Sequence, residues 1–190
     1  IFLNLQLPVT LPFFQDPVVR KALLHGLDRQ AIIDDALNGQ GLVANGPILP
    51  WSWAYDADQE TVTYDPDQAA SSLTDSGWVD SDNDGIRDQE GIPLAFTLLA
   101  GEDPAKTRMA DAIADQWRQL VISTTVEVVG AGLGEKLENH TYQAALAEVL
   151  LSVDPDPYPF WHMSQIEEGQ NYAGWVNEPA SGLLEAARVI

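Results

Sequence analysis

Cysteine is absent from the 190 residues. That excludes disulfides, thiolate metal sites and a cysteine nucleophile, although it leaves the compartment open because many exported proteins also lack the residue. No apolar run approaches the ~18 residues a membrane-spanning helix needs. Basic residues are scarce: nine lysines and arginines stand against 29 aspartates and glutamates, a formal charge of −20. Such a field repels phosphate backbones and anionic headgroups, so nucleic acid is excluded as a partner. The acidic residues are scattered along the chain, the usual mark of a solvated surface.

The chemistry of catalysis is also missing. His25, His140 and His162 are far apart and share no metal-ligand spacing. There is no Gly-x-Ser-x-Gly elbow, phosphate loop or dinucleotide fingerprint. Asp154 and Asp156 are each followed by proline, and two residues apart on an extended chain is a poor arrangement for flanking a scissile bond. The chain is therefore not expected to be an enzyme.

What is present is a set of helices with their boundaries written in. Asp16 can cap the first turn of a helix whose first residue, Pro17, lacks the amide that would go unpaired there. Val19, Ala22, Leu23, Gly26 and Leu27 then share one face. Asp28 can cap a second helix that buries Ile32, Ile33, Ala36 and Leu37, with Gly39 as its left-handed stop. Asp65-Pro66 opens a third helix, through Ala69, Ala70 and Leu73, that Gly77 ends and on which Trp78 packs back.

Farther on, Leu94 to Leu99 is a near-continuous apolar run of strand length, expected where both faces are covered. Asp103-Pro104 starts a helix with Met109, Ile113, Trp117 and Leu120 on its buried side, and Thr125 to Val129 is β-branched. Strand, helix, strand at that spacing predicts a βαβ unit with parallel strands and a right-handed crossover. Residues 1 to 7 and Tyr142 to Leu151 are expected as further strands, Gly132 to Asn139 as a short helix, and residues near Leu183 to Val189 as a last one. With 45% apolar residues, residues 1–190 are long enough to bury one core and are read as a single α/β lobe. The opening Ile1-Phe2-Leu3-Asn4-Leu5 reads as a strand continuing from something upstream, so targeting signals are expected outside this sequence.

Three stretches could carry function. Glycines and prolines deny regular structure to residues 39–63, where Trp51, Trp53 and Tyr55 either pin the loop to the lobe or line a cleft. Asp80, Asp82, Asp84 and Asp88 occupy positions one, three, five and nine of a calcium loop, with Gly85 at six and the Ile86 carbonyl at seven. Gly91 replaces the bidentate glutamate at twelve, so the alternatives are a modest Ca²⁺ site and a metal-free Asp/Asn/Gly turn. No other cofactor is called for. Between Leu150 and Trp175, a strand end runs into proline-locked backbone, the usual place for ligand contacts in open α/β sheets. There Tyr158, Phe160, Trp161, Tyr172 and Trp175 are candidate apolar walls, or core, and Ser152, Asp154, His162, Gln165 and Asn171 are candidate directing groups.

The wording of the first stretch, Asp16 to Ile33 with Asn38-Gly39-Gln40-Gly41 after it, resembles one family, and the resemblance continues in order. It runs through Gly46 to Pro50, Tyr64-Asp65-Pro66, Gly77-Trp78, Asp82 to Gly85, Asp154 to Pro157 and Asn171-Tyr172. The family is the extracellular solute-binding proteins of bacterial ABC importers, family 5, whose best-known members bind oligopeptides and dipeptides while others carry nickel complexes or oligosaccharides. The resemblance implies one lobe of a two-lobed, periplasmic-binding-protein-like (type II) receptor, a mixed sheet with flanking helices. It further implies an oligopeptide or similar solute as ligand, permease subunits as partners, and a periplasmic or extracellular site with a lipoprotein anchor. Ligand contacts are expected from Ser152, Val153, Asp154, Trp161, His162, Asn171 and Tyr172. In peptide-binding relatives the corresponding strand end carries an aspartate for the ligand's amino terminus; Val153 stands at that position here, with Asp154 beside it. The chain by itself is expected to be monomeric, and a free-standing acidic extracellular calcium-stabilised interaction module is the alternative reading.

Overall fold

A computed structural model describes residues 1–59, 61–151 and 156–189. In chain order the elements are β1 (Phe2–Leu3), α1 (Pro17–His25), α2 (Arg29–Leu37), α3 (Pro66–Asp75), β2 (Asp88–Gln89), β3 (Ile92–Pro93) and β4 (Ala95–Gly101). After them come α4 (Pro104–Gln119), β5 (Ser123–Val129), α5 (Leu133–Glu138), β6 (Ala144–Leu146), α6 (Tyr158–Trp161), α7 (Gln165–Glu168) and α8 (Glu178–Ala187). The main sheet has the order β1-β6-β4-β5. Strand β4 pairs in parallel with β5, from Ala95↔Ser123 to Gly101↔Val129, and with β6 at Leu98↔Ala144, whereas β1 joins β6 antiparallel. The sheet is mixed, and the βαβ unit β4-α4-β5 is where the spacing placed it.

Four of the helices begin on the aspartates that the sequence marks. Carboxylate oxygens of Asp16, Asp28, Asp65 and Asp103 accept from the amides of Val18, Ala31, Gln68 and Ala105 at 2.8–2.9 Å, each satisfying a donor that a helix start leaves free. The apolar face of α1 is buried through Val19, Ala22 and Leu23, with Leu27 buried just past its end, and α1 packs on α3 while α2 packs on α4. Gly77 takes φ +93°, and Trp78 folds back so that its amide reaches the Leu73 carbonyl at 2.9 Å. The turn that stops α2 begins one residue earlier than expected, at Asn38 (φ 52°), and Gly39 continues it.

Strand β4 lies between two neighbours and under helices, which is why its residues read as almost uniformly apolar. Beneath it, a 3₁₀ turn over Pro12–Gln15 inserts Phe13 and Phe14. Phe14 meets Phe96 edge-on at 5.0 Å between ring centres, Phe96 meets Trp117 at 5.4 Å, and Phe13 meets Trp78 at 5.8 Å. These rings form the centre of the main core. A smaller cluster of Leu99, Leu137, Tyr142 and Ala145 sits on the sheet's other face, closed by Phe2 and Tyr172.

Two strands are shorter than expected. Residues 1–7 yield only Phe2–Leu3, because the Asn4 side chain turns inward and its Nδ2 donates to the carbonyls of His140 (2.8 Å) and Tyr142 (2.7 Å). The run Tyr142 to Leu151 yields only Ala144–Leu146. Its partner β4 ends at Gly101 and the capped start of α4 follows, so no neighbouring strand continues beside the segment past Leu146.

Candidate functional site

Strand β5 follows β4 on one side of the sheet and β6 follows on the other, so the chain reverses direction of winding around β4. In open α/β sheets the crevice at such a reversal, outside the carboxyl ends of the strands, is where ligands bind. Lys106 on α4 and Glu148 beyond β6 form an ion pair of 2.9 Å at that end.

The segment that leaves β6 there is a wall between two clefts. Ala147 and Val149 line a space of about 590 Å³ together with Leu24, Arg20, Trp161 and Trp175. Leu150 and Leu151 line another of about 540 Å³, opposite Trp51 and Trp53 and next to Phe160. The neighbours Phe160 and Trp161 of α6 are likewise divided, Phe160 lining the smaller space and Trp161 the larger.

The second cleft takes in two of the loop's three aromatics, Trp51 and Trp53, while Tyr55 is half-buried and outside its lining. Trp51 and Trp53 are 73% and 86% exposed, so they do not pin the loop. That work falls to Arg29 at the start of α2, whose guanidinium donates to the carbonyls of Ala44 (2.9 Å) and Val62 (2.6 Å). Both ends of the loop are therefore tied to one side chain, and the two indoles stand out from it beside Leu150, itself 94% exposed.

The expected ligand contacts divide into groups. Ser152, Val153 and Asp154 lie outside the described residues. Trp161 is 39% exposed, lines the 590 Å³ cleft and meets Trp175 edge-on at 5.9 Å. His162, by contrast, is buried: it stacks on Tyr158 at 4.2 Å, its Nδ1 pairs with the Ser164 hydroxyl at 2.8 Å and its Nε2 with Glu185 of α8 at 3.1 Å. Asn171 is buried as well, donating to the carbonyls of His162 and Trp175 and accepting from the Trp175 amide. Tyr172 sets its ring against Phe2 and offers its carbonyl to the Tyr142 hydroxyl and His140 Nδ1. The polar atoms of His162 and Asn171 are thus engaged inside the lobe, where they tie α6, α8 and the Asn171–Trp175 turn to one another. Leu150, Leu151 and Pro47 to Leu49 lie inside the two candidate stretches but are not among the side chains named there, since apolar residues at these places look like ordinary core.

In the acidic loop, between the Val79↔Asp88 bridge and the β2–β3 hairpin, Asp80, Asp82 and Asp84 bring carboxylate oxygens within 4.8 Å of one another. The same carboxylates accept from the loop amides of Asp84, Gly85 and Ile86 at 2.8–3.2 Å. Asp88 stands apart from that trio and takes its bonds from the Ser81 amide and hydroxyl.

A family model described as bacterial extracellular solute-binding proteins, family 5 Middle, matches residues 1–171. The chain belongs to this family. The oligopeptide-binding protein AppA of Bacillus subtilis is 33% identical over 183 residues, taking in 93% of this chain and 34% of AppA. A structure of AppA in complex with a nonapeptide superposes with a TM-score of 0.92 at 31% identity, covering 100% of this chain and 38% of that one. NikZ from Campylobacter jejuni in complex with Ni(L-His) gives a TM-score of 0.82 at 25% identity, covering 94% of this chain and 37% of NikZ. The chain spans about a third of the length of the curated relatives it matches. It is therefore one α/β lobe of a periplasmic-binding-protein-like fold, and these family 5 relatives are binding proteins. No helix among the described residues is long and apolar enough to cross a membrane.

Proposed function

We propose that this family 5 lobe captures an oligopeptide, closing on it together with the remainder of a longer receptor, and that the receptor delivers the peptide to the permease of an ABC importer. In this reading the protein works outside the cytoplasmic membrane, tethered by a lipid anchor, and performs no covalent chemistry. The observation that carries it is the match, over the whole chain, to AppA with its bound nonapeptide.

The character of the cleft favours a peptide over a nickel complex such as the one NikZ holds. Trp51, Trp53, Leu150 and Phe160 give it largely apolar walls, and Asp156 is the one carboxylate among its described lining residues. The convergent aspartates Asp80, Asp82 and Asp84 are on the hairpin loop and not in this cleft. Native mass spectrometry of the full-length protein as purified, followed by calorimetry with synthetic peptides, tests the reading. Peptide masses and at least micromolar affinity are expected; a retained metal chelate or sugar, with no heat from any peptide, overturns it.

A further inference from the structure

Resting on the peptide reading above, we propose that the cleft between the Trp51/Trp53 loop and the extension of β6 selects peptides carrying a large uncharged side chain, above all an aromatic one, and discriminates against acidic ones. Trp51 and Trp53 are the specificity-determining residues.

Three observations combine. First, Trp51, Trp53 and Leu150 are 73%, 86% and 94% exposed and face one space of about 540 Å³. Scattered apolar side chains at a surface call for no explanation, but three of the largest converging on one concavity are what a ligand pocket needs. Second, the loop is built to present them. Arg29 fastens it at Ala44 and Val62, and between those points the Ser52 amide reaches the Leu49 carbonyl at 2.9 Å and the Tyr55 amide the Ser52 carbonyl at 3.1 Å. The indoles are held on a shaped turn, so less freedom is lost when a ring slides between them.

The third observation is charge. No lysine, arginine or histidine lines this cleft among the described residues. The one carboxylate among its described lining residues is already occupied, since Asp156 accepts from the Tyr158 amide at 3.0 Å and pairs with Arg188 at 3.2 Å. An acidic ligand side chain would lose its water, find no cation, and sit in the field of a chain carrying a formal charge of −20. A basic one would find no free carboxylate among the described lining residues. An aromatic ring gains area against both tryptophans and leaves no charge unpaired.

The test is a calorimetric series on the full-length protein with peptides identical except at one position, holding phenylalanine, alanine or glutamate. The phenylalanine peptide is expected to bind at least about tenfold more tightly than the alanine peptide, and the glutamate peptide more weakly than both. In a Trp51→Ala, Trp53→Ala double variant with an unchanged melting temperature, the ratio of phenylalanine-peptide to alanine-peptide affinity should collapse toward one, and restoring one ring in a Trp51→Ala, Trp53→Phe variant should recover part of it. Equal affinities across the three peptides, or a phenylalanine preference that survives the double substitution, overturns the inference and leaves the peptide reading standing. Binding of no peptide by a correctly folded protein overturns both.

Discussion

The indole Nε1 of Trp117 donates at 2.8 Å to the main-chain carbonyl of Leu23, joining α4 to the end of α1. That carbonyl has lost its helical partner: the Leu27 amide, four residues on, bonds instead to Leu24 at 3.2 Å. A buried helix end leaves such carbonyls to be satisfied by something else. Here a tryptophan on another helix supplies the donor and fills the core beside Phe96 at the same time.

Trp117→Phe should therefore cost more than its lost area. It keeps an aromatic ring but leaves a buried carbonyl unpaired, a penalty of about 1–3 kcal/mol. Urea unfolding followed by circular dichroism measures it. A loss under about 0.5 kcal/mol would mean that water replaces the indole at the Leu23 carbonyl.

Much of the architecture is local and so was legible in the residues. Asp-Pro at 16–17, 65–66 and 103–104 fixes helix starts without help from distant parts of the chain, and the buried run of β4 announces its central place in the sheet. The strand ends were not legible in that way, because β6 stops where β4 stops and β1 stops where Asn4 finds the carbonyls of His140 and Tyr142. The site divides along the same line. The segment from Leu150 to Trp175 and the tryptophan loop could be named from their composition. Whether His162 and Asn171 serve a ligand or the scaffold depends on Glu185, Ser164 and Trp175 meeting them, and those partners are set by tertiary packing. Arg29 gave no sign of anchoring a loop whose ends lie 15 and 33 residues away.

Asn171 offers a direct test of scaffold against ligand contact. Asn171→Asp keeps the shape but removes both amide donors and aims a carboxylate at the His162 and Trp175 carbonyls, so a stability loss on the order of 3 kcal/mol is expected. Peptide affinity of the folded fraction, measured well below the melting temperature, should stay within about twofold. A selective loss of affinity at unchanged stability would place Asn171 in the ligand site.

Alkaline stability should depend on Tyr142. Burial pushes its phenol well above the usual tyrosine range, and the hydroxyl donates to the Tyr172 carbonyl at 2.5 Å. The neutral form is favoured in the folded state, so the contribution is fully present below the unfolded value of about 10 and is lost as pH rises above it, where only the unfolded chain gives up the proton. Urea midpoints should fall from about pH 10 upward, and Tyr142→Phe, though less stable at neutral pH, should flatten that part of the decline. A slope identical in the variant would assign the alkaline loss to other groups.

The acidic loop predicts a response to calcium. Asp80, Asp82 and Asp84 converge in the order of a calcium loop, and an ion bound only by the folded chain stabilises it by mass action. Millimolar Ca²⁺ should raise the melting temperature, and an Asp82→Ala, Asp84→Ala variant should lose that response while Mg²⁺ produces little of it. No shift in calcium would leave the loop as a turn held by its own amides.

The final prediction concerns residues 1–190 produced alone: they should fold and bind peptide poorly. The capped helices, the parallel pairing of β4 with β5 and β6, and the aromatic core around Phe96 draw on residues within the span, which is what independent folding needs. Ligand capture is different, because the chain covers about a third of its relatives' length. If a receptor closes around its solute, each part supplies some of the contact area. A peptide lying against Trp51, Trp53 and Leu150 alone keeps much of its surface in water while still losing translational and conformational freedom, and that loss consumes most of what the exposed half of a cleft can return. Calorimetry on the isolated span and on the full-length protein, with the same phenylalanine-bearing peptide, separates the possibilities. A cooperative melt for the span, micromolar or tighter binding for the full-length protein and no detectable heat for the span is the expected result. Equal affinities would show that residues 1–190 hold a complete site, and the two-part closure would then have to be abandoned.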